Sequence, residues 1–340
     1  MTEARTVSVI VPCRNERDAI EAFCADALGQ SLPDGWQLEL IVADGGSDDG
    51  TRERLQALAQ VEPRLTLVDN PQRIVSAGLN RALAVAAGAV IVRMDVHTRY
   101  AADYVAQCLQ VLERSGADNV GGPWRAEGRD GWPGAIAAAF QSRWVAGGAR
   151  SRSLTYEGEV DTVYLGCWPR ETFDRFGGFD ETLVRNQDDE HNLRLVLGGA
   201  RIWQSPAIRS VYRPRDSLGA LWRQWLQYGY WKPFVMKKHG QAAAWRHRVP
   251  GLFVAALALT ALLALAGAGV APLLALLGAY ALVLAGLSLA VASASSWALL
   301  WRLPLVVAAQ QIGYGVGTLA GVWDAWRHGR GRERFARLTR

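Results

Sequence analysis

Cysteine is scarce and scattered in this 340-residue chain: Cys13, Cys24, Cys108 and Cys167 form no C-x-x-C pair. Such spacing suggests neither a disulfide framework nor a zinc site. The glycine-rich stretches lack the lysine of a Walker loop, and none has the G-x-G-x-x-G order of a dinucleotide fingerprint. No basic stripe interleaved with stacking aromatics occurs before the apolar C-terminal region, so the net charge of +5 is not a nucleic-acid signal. The opening MTEARTVSVIVP has too little apolar length and the wrong flanks for a secretory signal, which places residues 1 to about 245 in a reducing cytosol. Charge of either sign is missing from Val249 to Ser293, 45 residues, more than twice the roughly 20 that a membrane-spanning helix needs.

Two spans fit within 249–293, broken at GAGVAP (267–272), where glycine and proline punctuate a helix. A third apolar segment, within 297–326, carries Gln310, Gln311 and four glycines in its run 303–323. Basic residues precede the first span (Lys237, Lys238, Arg246, Arg248), Arg302 lies between the second and third runs, and the tail 327–340 holds Arg327, Arg330, Arg332, Arg334, Arg337 and Arg340. Positive segments stay on the cytosolic side. An even number of crossings keeps all of them there, so two spans plus a re-entrant or interfacial third segment are preferred to three full spans. These clusters can also bind anionic headgroups, at about 1 kcal/mol per basic residue. Ahead of them, 216–248 reads as amphipathic interface helices and a basic linker, with Trp222, Trp225, Tyr228 and Trp231 spaced by three; a helix packed on the catalytic domain reads equally well.

Residues 1–215 have a different rhythm. TVSVIVP (6–12), LELIVAD (38–44), LTLVDN (65–70) and AVIVRMD (89–95) are short β-branched runs separated by helix-like stretches such as TRERLQALAQ. Continuous apolar strands imply a parallel sheet covered on both faces, an open α/β architecture whose ligands sit beyond the carboxyl ends of the strands. Two acidic tips fall there. ADGGSDDGT (43–51) leaves a strand through Asp44 and opens a helix around Ser47, Asp48 and Asp49. RMDVHT sets Asp95 and His97 one residue apart, so an extended chain projects both to one side, and an oxygen with an imidazole suits Mn²⁺ or Mg²⁺. Taken alone, the first motif also reads as a capped turn, and the second as a cap and a loop histidine.

Six segments in order resemble the inverting family-2 glycosyltransferases: VSVIVPCRNE (7–16), VADGGSDDGT, NPQRIVSAGLNRALAVAAG (70–88), RMDVHT, YLGCWPRETFDRFGGFDE (164–181) and NQDDEHNLRL (186–195). Within that family the chain is most similar to the membrane-attached glucosyltransferases of succinoglycan-type exopolysaccharide assembly. The resemblance implies a single GT-A-like open sheet domain followed by transmembrane or interfacial helices. It implies a nucleotide pocket lined by Pro12, Arg14 and Glu16, with Asp44 reading the uracil and Ser47 and Arg73 also on the donor side. Asp95 and His97 stand where the family has its D-x-D metal motif, with histidine in the last place. Asp188 takes the position of the catalytic base, Gln187 standing where glutamate is usual, and Asp189 is the alternative by a one-residue slip. Gly166, Cys167 and Trp168 fall on the acceptor side, with Cys167 expected to pack rather than react and His191 expected on a helix surface. Arg223, Gln224 and Trp225 match a region that closes over the donor diphosphate.

The implied activity is metal-dependent transfer of a hexose, glucose from UDP-glucose, to a polyprenyl-diphosphate-linked saccharide at the bacterial inner (cytoplasmic) membrane, with no nucleic acid involved. A processive polysaccharide synthase is the alternative enzyme, opposed by the missing Q-x-x-R-W and the small number of spans. A membrane-anchored nucleotide-sugar sensor or scaffold is the non-catalytic alternative.

Overall fold

The computed structural model describes residues 5–240, 245–329, 331 and 335; the tail residues Arg330, Arg332, Arg334, Arg337 and Arg340 lie outside the described residues. The chain forms two compact units, Met1–Arg125 with Arg150–Tyr212, and Ala126–Ala149 with Arg213–Arg340.

In the first unit strands and helices alternate: β1 (Arg5–Cys13), α1 (Ile20–Leu28), β2 (Trp36–Asp44), α2 (Thr51–Val61), β3 (Leu65–Asp69), α3 (Val75–Val85), β4 (Val90–Arg93), β5 (Thr98–Tyr100), α4 (Tyr104–Ser115) and β6 (Asn119–Gly122). The chain then contributes α5 (Gly131–Gln141) to the second unit and returns as β7 (Gly158–Glu159), β8 (Tyr164–Pro169), α6 (Arg170–Phe176), α7 (Gln187–Leu197), β9 (Ile202–Gln204) and β10 (Ser210–Tyr212). Eight strands make one mixed sheet in the order β3-β2-β1-β4-β8-β6-β9-β7, and β5 pairs with β10. The four β-branched runs seen in the sequence are its parallel half, with β8 antiparallel to β4.

Strand alternation splits the apolar residues between two cores, as both-face coverage requires. Val7, Val9, Val11, Leu40, Val42, Val90 and Val92 face α1, α2 and α4, packing with Ile20, Phe23, Leu55 and Tyr104. Ile10, Ile41 and Ile91 face α3, α6 and α7, packing with Leu79, Phe173 and Leu195. This register brings Cys13 opposite Asp44 and Asp44 opposite Asp69, so the strand tips form one edge.

The second unit is helical: α5, α8 (Leu218–His239), α9 (Val249–Leu265), α10 (Ala271–Ala294) and α11 (Leu303–Arg327). Among the described residues, three helices are long and apolar enough to cross a membrane. They differ in surroundings: 6% and 11% of the most apolar stretch of the first two is buried, against 56% for α11. Helices apolar on every side and bare on nearly every side suit lipid. Against α8, by contrast, α11 packs through glycine. A side-chain carbon on Gly317 would lie 2.1 Å from the Leu226 carbonyl oxygen, and one on Gly321 2.1 Å from that of Tyr230. The four-residue spacing of Gly313, Gly317 and Gly321 thus lets two backbones touch, the small-residue packing used between helices in lipid.

Candidate active site

The turns after β1 and β2 are laced together. Asn15 N–H donates to Ser47 Oγ (2.8 Å), Asn15 Nδ2 to Asp48 Oδ1 (2.8 Å), and Glu16 N–H to Thr51 Oγ1 (2.7 Å). Asp49, just before α2, accepts from Thr51 N–H at 3.0 Å. Two of the expected donor-side residues flank the turn after β2: Arg14 packs against Gly45, and the Arg73 guanidinium lies over Gly46, whose φ of +67° is open to glycine at little cost. Pro12 is half-buried at the end of β1.

Asp44 is buried at the tip of β2. Its carboxylate is fully covered, accepts from Ser47 Oγ at 2.5 Å, and pairs with Arg52 at 3.1 Å. Arg52 also grips Asp69 at 2.6 Å, and these bonds to Asp69 and Asp44 hold its pKa above the ordinary value.

At the β4 tip, the side chain of Arg93 is only 6% exposed. It binds Asp95 through both carboxylate oxygens, Nε to Oδ1 and Nη2 to Oδ2, each at 3.1 Å. Its Nη1, a buried nitrogen without a hydrogen-bond partner, lies 3.8 Å from Asp188 Oδ2. Burial opposes the guanidinium charge, but Asp95 and Asp188 outweigh it and raise the pKa. The Asp95 backbone N–H donates to Tyr100 Oη at 2.7 Å, while Thr98 Oγ1 and Tyr164 Oη share a bond of 2.8 Å. Burial lifts both phenols well above their usual pKa, so they stay neutral.

The histidine of the D-x-H motif is held differently. His97 Nε2 lies 2.8 Å from Glu16 Oε1, on a carboxylate only 9% exposed. A carboxylate taking one ring N–H is the arrangement that orients an imidazole whose other nitrogen binds a cation. Among the described residues no group of three acidic, histidine or cysteine side chains could hold a metal by itself. Asp95 and His97 offer one carboxylate and one imidazole, so an ion held by them would take most of its shell from other oxygens.

Three carboxylates open α7, and the structure separates them. Glu190 is fully buried and committed to Arg194 at 2.9 Å. Asp188, 49% exposed, is the one beside Arg93, and its Oδ1 accepts the Asp189 N–H at 2.9 Å. Asp189 is half-buried beside it, and Gln187 is buried.

Two expectations need revision. His191 is not on the helix surface: it is 0% exposed, stacked on Phe173 at 5.3 Å and packed against Phe179 and Trp168. Burial, aided by Arg194, lowers its pKa to about 4. On the acceptor side, Cys167 and Trp168 are buried on opposite faces of the sheet, one in each core, so neither side chain is open to a saccharide. Burial also raises the Cys167 thiol pKa well above its usual value, consistent with packing. Gly166, with φ of +120°, is buried against the Trp168 ring. Arg223, Gln224 and Trp225 belong to α8 in the second unit, where Gln224 donates to Tyr228 Oη (3.2 Å) and Trp225 meets Phe140 edge-on. Sequence reasoning overlooked Arg93, although a charged residue closing the apolar run AVIV was its visible signal.

The parallel half-sheet carries acidic tips and the D-x-H motif, with the acidic entry of α7 beside them. Residues 8–170 match the glycosyl transferase family 2 model, and the chain belongs to that family of enzymes. Among its relatives is the succinoglycan biosynthesis protein ExoA of Rhizobium meliloti (strain 1021), 34% identical over 259 residues, covering 76% of this chain and 78% of the relative. A dolichyl N-acetyl-alpha-D-glucosaminyl phosphate 3-beta-D-2,3-diacetamido-2,3-dideoxy-beta-D-glucuronosyltransferase of Methanococcus voltae is 24% identical over 243 residues, covering 68% and 74%. The solved structure of the mannosyltransferase PcManGT from Pyrobaculum calidifontis, in complex with GDP-Man and Mn²⁺, shares the GT-A-like fold with a TM-score of 0.60 at 22% identity, covering 94% of this chain and 87% of that one.

Proposed function

We propose that the protein is a membrane-attached, inverting hexosyltransferase that moves glucose from UDP-glucose to a polyprenyl-diphosphate-linked saccharide in exopolysaccharide assembly. The observation that carries this reading is the meeting of Asp95 and Asp188 on one buried cation, Arg93, which brings the carboxylate of the D-x-H motif near the half-exposed carboxylate of α7. Asp188 would take the proton of the acceptor hydroxyl as that oxygen bonds to the anomeric carbon. The bond from that carbon to the diphosphate breaks on the opposite face, its electron pair leaving with UDP. Asp95 and the Glu16-oriented His97 would hold Mn²⁺ or Mg²⁺, which neutralises charge on the departing diphosphate. The laced turns carrying Arg14, Glu16 and Ser47, with the Arg73 guanidinium over Gly46, would form the nucleotide edge, and Asp44 would act there through Ser47 and Arg52.

Relatives supply the biological direction: one is named for succinoglycan biosynthesis, the other for a dolichyl phosphate sugar. A lipid-linked acceptor gives the apolar helices a purpose, since a tethered enzyme meets it at high effective concentration. We place α9 and α10 across the bacterial inner membrane, the glycine-packed α11 at its interface, and the catalytic unit on the cytosolic side, where the basic flanks belong.

The test is UDP release by the detergent-solubilised protein from a panel of UDP-sugars, with and without Mn²⁺ or Mg²⁺, in the presence of a polyprenyl-diphosphate-linked sugar. Release that requires cation, one donor and the lipid acceptor supports the reading. Donor binding without release for any acceptor lipid contradicts it.

A further inference from the structure

We infer that Arg93 is a positioning residue that couples the two halves of the site, holding Asp95 and Asp188 with one buried guanidinium. This rests on the reading of Asp188 as the base and of Asp95 as a cation ligand. Three observations support it independently of that reading. The side chain is 6% exposed, and a charge so buried persists only when paired. Both Asp95 oxygens are engaged by two of its nitrogens, a fork geometry that fixes the carboxylate plane. The third nitrogen, Nη1, has no hydrogen-bond partner of its own and stands 3.8 Å from Asp188, on a different element and 95 positions along the chain.

Two consequences follow from the charge. Asp188 lies on the first turn of α7 with half its side chain in water, and Arg93 is the cation that draws it toward the β4 tip. Removing that attraction lets the carboxylate rotate into solvent, and misplacement of a reacting group by about 1 Å can cost about 10²-fold in turnover. The same guanidinium repels a divalent ion from Asp95. Arg93 therefore weakens cation binding while it supports transfer, two effects of opposite sign. Lysine cannot replace it, because one ammonium group lacks the fork that reaches two carboxylates in different directions.

The experiment uses the full-length protein in detergent with three substitutions, Arg93→Gln, Arg93→Lys and Asp188→Asn, and two readouts. Binding of Mn²⁺ in the presence of UDP is followed by electron paramagnetic resonance, and transfer is followed with UDP-glucose and a polyprenyl-diphosphate-linked sugar. Arg93→Gln is expected to bind Mn²⁺ about tenfold more tightly than wild type, because a positive charge beside the carboxylate is gone. Arg93→Lys, which keeps the charge and guards against a folding defect, is expected to lose about 10²-fold in kcat with KM for the donor nearly unchanged. In the Asp188→Asn background it should cost no further turnover, the non-additivity of two residues acting as one unit. Weaker or unchanged Mn²⁺ binding in Arg93→Gln, or full additivity of Arg93→Lys with Asp188→Asn, overturns the coupling. If wild type transfers nothing from UDP-glucose, the transferase reading fails, and the Mn²⁺ measurement still decides the role of Arg93: tighter binding upholds its hold on Asp95, unchanged binding refutes it.

Discussion

His191 shows how one residue can link the core to pH. It lies among Phe173, Phe179 and Trp168, where burial lowers its pKa to about 4, whereas an unfolded chain titrates near 6.5. The folded state therefore favours the neutral ring. Stability is undiminished above the unfolded pKa and falls as pH drops from about 6.5 to about 4, by about 3 kcal/mol for this group. His191→Leu keeps an apolar side chain of similar size, so its Tm should fall less than that of wild type between pH 7 and pH 4.5. Equal slopes would show that the ring does not titrate as its burial demands. At the same scale, Cys167 is sealed in the first core, so thiol reagents applied to the folded protein should leave transfer unchanged; rapid inactivation traced to Cys167 would contradict the packing. What the sequence hides here is exposure. A histidine one place after three carboxylates looks solvent-facing, and only the fold shows that α7 turns this position toward the aromatic core.

Elements were more legible than residues. The β-branched runs beginning near Thr6, Leu38, Leu65 and Ala89 are all strands, because hydrophobic continuity on both faces leaves no other use for them. Pairing of β8 against β4, which brings YLGCWP into the sheet interior and buries Cys167 and Trp168, depends on long-range register that no local pattern states. The glycines of 303–323 weakened that segment as a membrane span, yet they have a packing role. Gly317→Leu places a side chain where a single carbon already lies 2.1 Å from the Leu226 carbonyl oxygen. Separation of α8 from α11 should cost at least about 2 kcal/mol, seen as a lower Tm in detergent, whereas Gly278→Leu, at a position with nothing nearby, should be neutral. Equal Tm values for the two variants would refute the close approach.

For the whole molecule, composition divides the chain between water and lipid. Leu259, Leu262 and Leu265 of α9 and Leu274, Leu277 and Leu282 of α10 stand exposed, and a water-soluble protein does not leave so much contiguous apolar surface bare. The protein should stay with membranes through an alkaline carbonate wash; release into the supernatant would refute membrane insertion. The fold class and the D-x-H and acidic-helix motifs were readable because each is local in sequence. Their assembly around Arg93 was not, since it requires β4 and α7, 95 positions apart between Arg93 and Asp188, to meet in space.

Asp188 is the proposed base of the glycosyl transfer, and replacing that one carboxylate is the sharpest test of its role. With Asp188→Asn in the full-length protein, donor affinity measured by UDP-glucose titration should stay within about threefold of wild type while kcat falls by about 10³-fold, the loss of a group that acts only in the transition state. Turnover close to wild type would contradict the account, and would return a donor-binding sensor without a base to first consideration.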